Sequence, residues 1–172
     1  TNTLHQWQTD ALADVAANAA VEGADISYGT MAPTVLENNH TQISTKGIQV
    51  TATNEAVTSA GRNNEMAYQV AKAAKELKRD METALLSNVA KSAGNATTAR
   101  KLGGCPTWYE TNVDAGAGGS GAGNGAIRTD GTQRAFTEDQ LKGILVSCYN
   151  EGGNPNMIMV NAFNKQKLSG FT

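Results

Sequence analysis

The clearest periodic stretch lies between residues 64 and 90. Met66, Val70, Ala73, Ala74, Leu77, Met81, Ala84 and Leu85 recur at the i, i+4, i+7 spacing of one helical face, and Asn63, Asn64 and Glu65 supply cap and dipole signals at its start. A helix of that span is roughly 40 Å long, more than a domain of this size is wide. Leu77 and Met81 fall in the stripe, so truncating either to Ala is expected to cost about 2 to 5 kcal/mol, and Lys75→Ala almost nothing. The opposite face carries Lys72, Lys75, Glu76, Lys78, Arg79, Asp80 and Glu82. It reads either as a solvated face with i, i+4 pairs or as an edge turned toward another subunit.

Before the helix the pattern has period two. Residues 1 to 12 alternate weakly, and Thr41 to Thr53 alternate more clearly, with a phase change at Gly47 that suggests a bulge. Between them the order dissolves: Gly23, Gly29, Pro33 and Asn38-Asn39 are turn formers, interspersed with Val15, Val21, Ile26, Tyr28, Met31, Val35 and Leu36. Two arms around a loose tip of residues 13–40 make a long hairpin that cannot bury itself. The tip's apolar side chains are therefore expected to be covered by a neighbouring molecule.

After the helix, residues 115–126 form a Gly/Ala run that reads as a flexible loop. Thr137 to Gln140 form a capping box ahead of a short amphipathic helix with Leu141, Ile144, Leu145 and Cys148 on one face. Gly152-Gly153 and Pro155 end it. Met157 to Val160 then read as a buried strand, and Asn164 as the cap of another helix. The chain begins at Thr1 without Met and stops soon after that last helix starts, and so reads as a piece of a longer protein.

Composition accounts for this thin organisation. Leu, Ile, Val and Phe make up only about 17% of the 172 residues, while Ala, Gly, Thr and Asn contribute 79. The net charge of −2 argues against disorder and gives no basic footprint for nucleic acid. No apolar run approaches the ~20 residues that span a bilayer. Cys105 and Cys148 stand apart without CxxC and read as buried thiols. His5 and His40 could meet across the hairpin but match no metal-ligand spacing.

Gly116 to Gly121 fits GxGxxG literally, yet neither a strand precedes it nor a helix follows. No phosphate loop or nucleophile elbow occurs, and the carboxylate pairs Asp10/Asp14 and Glu22/Asp25 lie in exposed arm, where nothing would shift their pKa. No catalytic residue, cofactor or metal is expected. An over-long helix, an unburied hairpin and glycine-rich loops suit an assembling structural protein. A surface-displayed β-rich domain and a small-molecule binding domain are the alternatives.

Longer blocks point further. His5-Gln6-Trp7-Gln8-Thr9-Asp10, Val21-Glu22-Gly23-Ala24-Asp25, Thr41 to Ser44, Glu65 to Lys72, Lys75 to Glu82, Ala96 to Leu102, Arg128 to Thr137, Glu151 to Pro155 and Phe163 to Gln166 resemble, in order, a family of tailed-bacteriophage major capsid proteins. The resemblance covers nearly the whole chain. It implies an α+β, Hong Kong 97 phage-type capsid fold in partial form: residues 1–53 an extended hairpin loop, 54–114 a peripheral domain with its spine helix near 64–90, 115–136 a Gly-rich loop, and 137–172 the start of an α/β axial domain.

The implied function is a structural shell subunit, in the virion and in the host cytoplasm during assembly. Its implied partners are copies of itself in hexamers and pentamers, with a scaffold or maturation protease during assembly, and neither sequence-specific nucleic acid nor membrane. Val21, Ile26, Tyr28, Met31, Val35, Leu36, Lys72, Glu76 and Arg79 are the candidate subunit contacts. Some relatives of the fold cross-link a loop Lys to a neighbour's Asn. Lys46 lies in that region, but no motif extends the chemistry to this chain.

Overall fold

The computed structural model describes residues 2–57, 60–61 and 64–171. Among the described residues the elements mix four α-helices with one small sheet, an α+β arrangement. Strands β1 (Leu4–Thr9) and β2 (Val35–His40) pair antiparallel, Leu4 opposite His40 and Thr9 opposite Val35. The returning strand therefore comes earlier than the alternation at residues 41–53 suggests. Thr41 makes the last rung, donating its N–H to Thr3 O at 2.9 Å, and residues 42–51 continue as irregular chain past the long helix. Alternation alone makes no strand without a ladder partner. His5 and His40 stand opposite Asn39 and Leu4, so successive residues of the pleat send them to different faces.

Helix α1 (Ala52–Ala56) is capped by Thr51 and serves its neighbour. The Glu55 carboxylate accepts the Met66 N–H at 3.0 Å, while Asn64 Oδ1 accepts that of Ala67. Together they satisfy two of the orphan donors that open helix α2 (Glu65–Leu86). Asn63, the other expected cap, lies outside the described residues. At 22 residues α2 is about 33 Å long.

It stops at Ser87, because the next residue is claimed elsewhere. Asn88 Oδ1 accepts the Arg128 N–H at 3.0 Å and its Nδ2 donates to Arg128 O at 2.9 Å. The inner side of α2 is shallow: Ala73 is its one buried residue among those described, Leu77 and Ala84 are half-buried, and Met81 is 48% exposed. The expected stripe exists, but only its small and central members are covered.

Residues 88–132 form a knot of loops held by backbone bonds rather than by apolar packing. Ser92 bridges Lys101 and Ser120 bridges Thr129. Lys91 N–H donates to Gly125 O, Gly125 N–H to Thr107 O, and Gly104 N–H to Val89 O. Thr107, in a 3-10 turn spanning Cys105–Trp108, is fully buried and donates its hydroxyl to Gly104 O.

The glycine run is close-packed here rather than loose. A Cβ on Gly119 would lie 2.7 Å from Ala115 O, and one on Gly121 or Gly131 would strike the carbonyls of Glu110 or Ala115. Glycine serves to let peptide planes touch.

Helix α3 (Glu138–Asn150) carries the expected capping box, Thr137 with Gln140, and ends at Gly152, whose φ is 81°. Helix α4 (Ala162–Leu168) is capped by Asn161; Asn164 is instead the donor to that cap. Phe136 and Phe171 pack at 5.3 Å between centroids. Met157 to Val160 make no strand, and Met157 is 76% exposed. Nothing described here offers them a ladder. Cys105 is exposed and Cys148 half-buried, against the expectation of two buried thiols. Among the described residues no helix is long and apolar enough to cross a membrane.

Candidate assembly surface

The base of the hairpin is built from polar side chains closing on backbone. Asn39 Oδ1 accepts the Gly103 N–H at 2.9 Å, and Nδ2 donates to Gly103 O at 3.3 Å. Gln42 Oε1 accepts the Leu102 N–H, and Arg100 Nε donates to Thr41 O at 2.7 Å. Lys91 Nζ donates to Asn38 O at 2.9 Å and Asn124 Oδ1 at 2.7 Å, and lies 5.4 Å from the Trp108 ring. Trp108 in turn meets Trp7 at 5.1 Å. One aromatic pair and a set of amide contacts thus fix where the hairpin leaves the body.

Beyond that base the chain is bare. Residues 10–34 form no strand or helix, and the turn closed by Ala24 N–H and Val21 O is their backbone bond among those described. Leu12 is 99% exposed and Tyr28 92%, with Val15, Val21, Ile26 and Met31 comparably open. Val35 and Leu36 belong to β2, not to the tip, and are more than half exposed.

On α2, Lys72 Nζ stands 4.0 Å from Glu76, and Lys46 bridges Glu76 at 3.4 Å and Asp80 at 3.5 Å. The two carboxylates hold the Lys46 ammonium above its ordinary pKa, the Glu76 hydrogen bond contributing most. Arg79 is exposed. The structure therefore brings Lys72 and Glu76 into one ionic cluster, and leaves the tip side chains apart from it.

Sequence reasoning missed the asparagine clamps, because Asn38-Asn39 carries the same local signal as a turn. It also missed the cluster's other half, Lys46 with Asp80, since 34 residues separate the two.

A cleft of about 520 Å³ opens between α3 and the loop knot, lined by Tyr109, Asn112, Asp114, Arg128, Ile144 and Cys148 among others. Its charges are already matched within the chain, Asp114 with Arg134 and Arg128 with Asp130. Tyr109 shares a 2.7 Å contact with Cys105 Sγ, which raises the phenol's pKa, with burial adding to it. Among the described residues no three His, Cys, Asp or Glu side chains are grouped to hold a metal.

The surface is large for the chain's mass. A folded monomer of 18.0 kDa exposes about 8,000 Å², whereas this chain exposes 14020 Å². It hides less than half of what an extended chain would show, against roughly 70% for a self-sufficient domain of similar length.

A family model described as SU10 major capsid protein matches residues 1–172. The major capsid protein of Escherichia phage Phieco32 is 46% identical over 91 residues, covering 52% of this chain and 26% of that protein. The matched stretch thus spans about a quarter of that relative's length.

Proposed function

Because the chain belongs to the SU10 major capsid protein family, we propose that it is the shell-building part of a bacteriophage or prophage capsid subunit, structural rather than catalytic. The observation that carries this reading is the surface excess of about 6,000 Å² over a globular monomer. An area of that order suits several obligate interfaces of roughly 2,000 Å² or more. On this reading the partners are further copies, in hexamers and pentamers, with a scaffold and a maturation protease acting during assembly. The protein then occurs in the host cytoplasm before it is built into the virion.

The fold we assign is the Hong Kong 97 phage type in part. Residues 1–53 would be its extended loop, α2 its spine helix within 54–114, residues 115–136 the glycine-rich connection, and 137–172 the opening of the axial domain. The hairpin supports this assignment, since a two-stranded arm with an apolar tip has no second layer of its own. Covering each such side chain contributes ~1.5 to 3 kcal/mol, which a neighbouring subunit can supply.

Limited proteolysis of the full-length capsid protein tests the reading. Rapid cleavage between Ala11 and Thr34 in free subunits, with protection in assembled shells, is the expected result. Equal resistance in both would mean that the tip folds on its own subunit.

A further inference from the structure

The turn at residues 123–125 joins two residues that the fold requires and that can react with each other. Asn124 is the one asparagine in the sequence followed by glycine. Its φ is 50° and that of Gly125 is 69°, left-handed values that asparagine and glycine adopt more readily than other residues. A Cβ on residue 125 would also lie 2.7 Å from Lys91 Cδ and 3.0 Å from Trp108 Cη2. Packing therefore forbids the side chain that would shield the residue 125 nitrogen from the amide beside it.

An unshielded pair of this kind modifies itself in water. Once base removes the Gly125 amide proton, the nitrogen attacks Asn124 Cγ. The new C–N bond closes a cyclic imide, and the Cγ–Nδ2 bond breaks to release ammonia. Water then opens the ring at either carbonyl. One opening leaves aspartate; the other leaves isoaspartate, whose main chain runs through the side-chain carbon and is one atom longer.

The folded chain opposes each of these movements. Gly125 is buried, its N–H donates to Thr107 O at 3.1 Å, and its carbonyl accepts the Lys91 N–H at 3.0 Å. Asn124 is exposed, but its Oδ1 accepts from Lys91 Nζ at 2.7 Å, so turning the amide costs that hydrogen bond. The same ammonium donates to Asn38 O at 2.9 Å, in the hairpin strand whose next residue clamps Gly103. One lysine thus ties the reactive turn to the seat of the hairpin.

We propose that Asn124-Gly125 is a self-modification site controlled by this joint. The amide persists while Lys91 and Thr107 hold the turn, and converts to aspartate or isoaspartate in chains whose joint has opened. Loss of ammonia makes the change one-way. Isoaspartate adds its extra main-chain atom beside Gly121 and Gly123, where even a Cβ would collide with Glu110, so the turn cannot close as before. The site keeps a permanent record of chains whose hairpin has lost its seat. This goes beyond the capsid reading and does not depend on it.

Incubation of the full-length protein in mildly alkaline buffer tests this, with the peptide containing Asn124 followed by mass spectrometry and isoaspartate detected by enzymatic methylation. Asn18, followed by Ala in the exposed tip, is the internal control. Conversion at Asn124 should be about ten-fold or more slower in the native protein than in the guanidinium-unfolded chain, because it waits on local opening. Asn39→Ala and Lys91→Met should each speed it several-fold with Asn18 unchanged. Leu77→Ala, which weakens α2 outside the joint, should speed it less.

Equal native and unfolded rates would overturn the proposal. So would Leu77→Ala matching Asn39→Ala, which would assign the reaction to global unfolding. A slower reaction in Lys91→Met would make Lys91 an activator of the amide rather than its guard, and would overturn it too. If Lys91→Met does not fold, Asn39→Ala against Leu77→Ala decides alone.

Discussion

Asn39 holds the Gly103 peptide by both of its polar groups, accepting the N–H at 2.9 Å and donating to the carbonyl at 3.3 Å. Asn88 does the same to Arg128. A primary amide carries a donor and an acceptor side by side, so it can imitate the edge of a strand where no strand is available. In a chain with so few large apolar residues, these clamps take over part of the joining that a core usually does.

Asn39→Ala should therefore cost about 1 to 3 kcal/mol, since the buried Gly103 N–H loses its partner and its carbonyl keeps only the 3.3 Å bond from Trp108 Nε1. Asn39→Asp keeps the acceptor for the Gly103 N–H but sets a carboxylate oxygen where Nδ2 meets the Gly103 carbonyl, so it should cost at least as much. Urea unfolding followed by tryptophan fluorescence reads both, because Trp7 and Trp108 sit at the joint. Equal stability in all three proteins would show that the clamp is replaceable by water.

Two glycines should respond in opposite directions. A Cβ on Gly104 would collide with the Ser87 carbonyl, and Gly104 cannot retreat, its N–H being bound to Val89 O and its carbonyl to the Thr107 hydroxyl. Gly104→Ala should lose about 1 to 3 kcal/mol. Gly143 lies inside α3 with open space around its missing Cβ. Gly143→Ala should gain about 0.5 to 1 kcal/mol by removing the entropic cost of glycine in a helix. Thermal melts of the two variants decide.

Tyr109 should titrate late. Its hydroxyl lies against Cys105 Sγ, and that hydrogen bond, then burial, raises its pKa above the ordinary 10.0. A raised folded value means that the native state binds this proton more tightly than the unfolded chain. The resulting stabilisation is present in full below pH 10.0 and fades as pH rises through the folded value. Replacing Cys105 by Ala should bring the titration down toward 10.0, measured as tyrosinate absorbance against a Tyr109→Phe reference. An unmoved curve would mean that burial alone sets the value.

What could be read from sequence was local. The cap at Asn64, the period of α2 and the Thr137 to Gln140 box each involve residues within a few positions of one another, and all appear as expected. Errors arose where a distant partner decides. Asn39 looks like a turn residue until Gly103 is beside it, and Met157 to Val160 look like a buried strand until no ladder comes. Cys105 was expected inside because cysteines usually are, yet its position is set by the 3-10 turn that buries Thr107 instead. The glycine run misled for a related reason: mobility and close approach need the same residue, and only the contacts of Gly119, Gly121 and Gly131 separate them. The bare tip was legible because its argument is one of area, independent of register.

The helix face offers the last test. Leu77 and Met81 both belong to the periodic stripe, and a full core would make either truncation cost several kcal/mol. Here Leu77 is half-buried and Met81 48% exposed. In the isolated chain Leu77→Ala should thus cost about 1 to 2 kcal/mol, scaled from the ~1.5 to 3 kcal/mol of complete burial, and Met81→Ala well under 1. Lys75→Ala should change neither melting temperature nor denaturant midpoint, its side chain being exposed and making no ion pair among the described residues. The order should change on assembly. Met81 borders the uncovered side of α2, so in shells a neighbour can complete its burial, and Met81→Ala should then lower the temperature of shell dissociation more than it lowers subunit melting. If the two shifts are equal, Met81 stays exposed in the shell and the apolar edge of α2 is not part of a subunit contact.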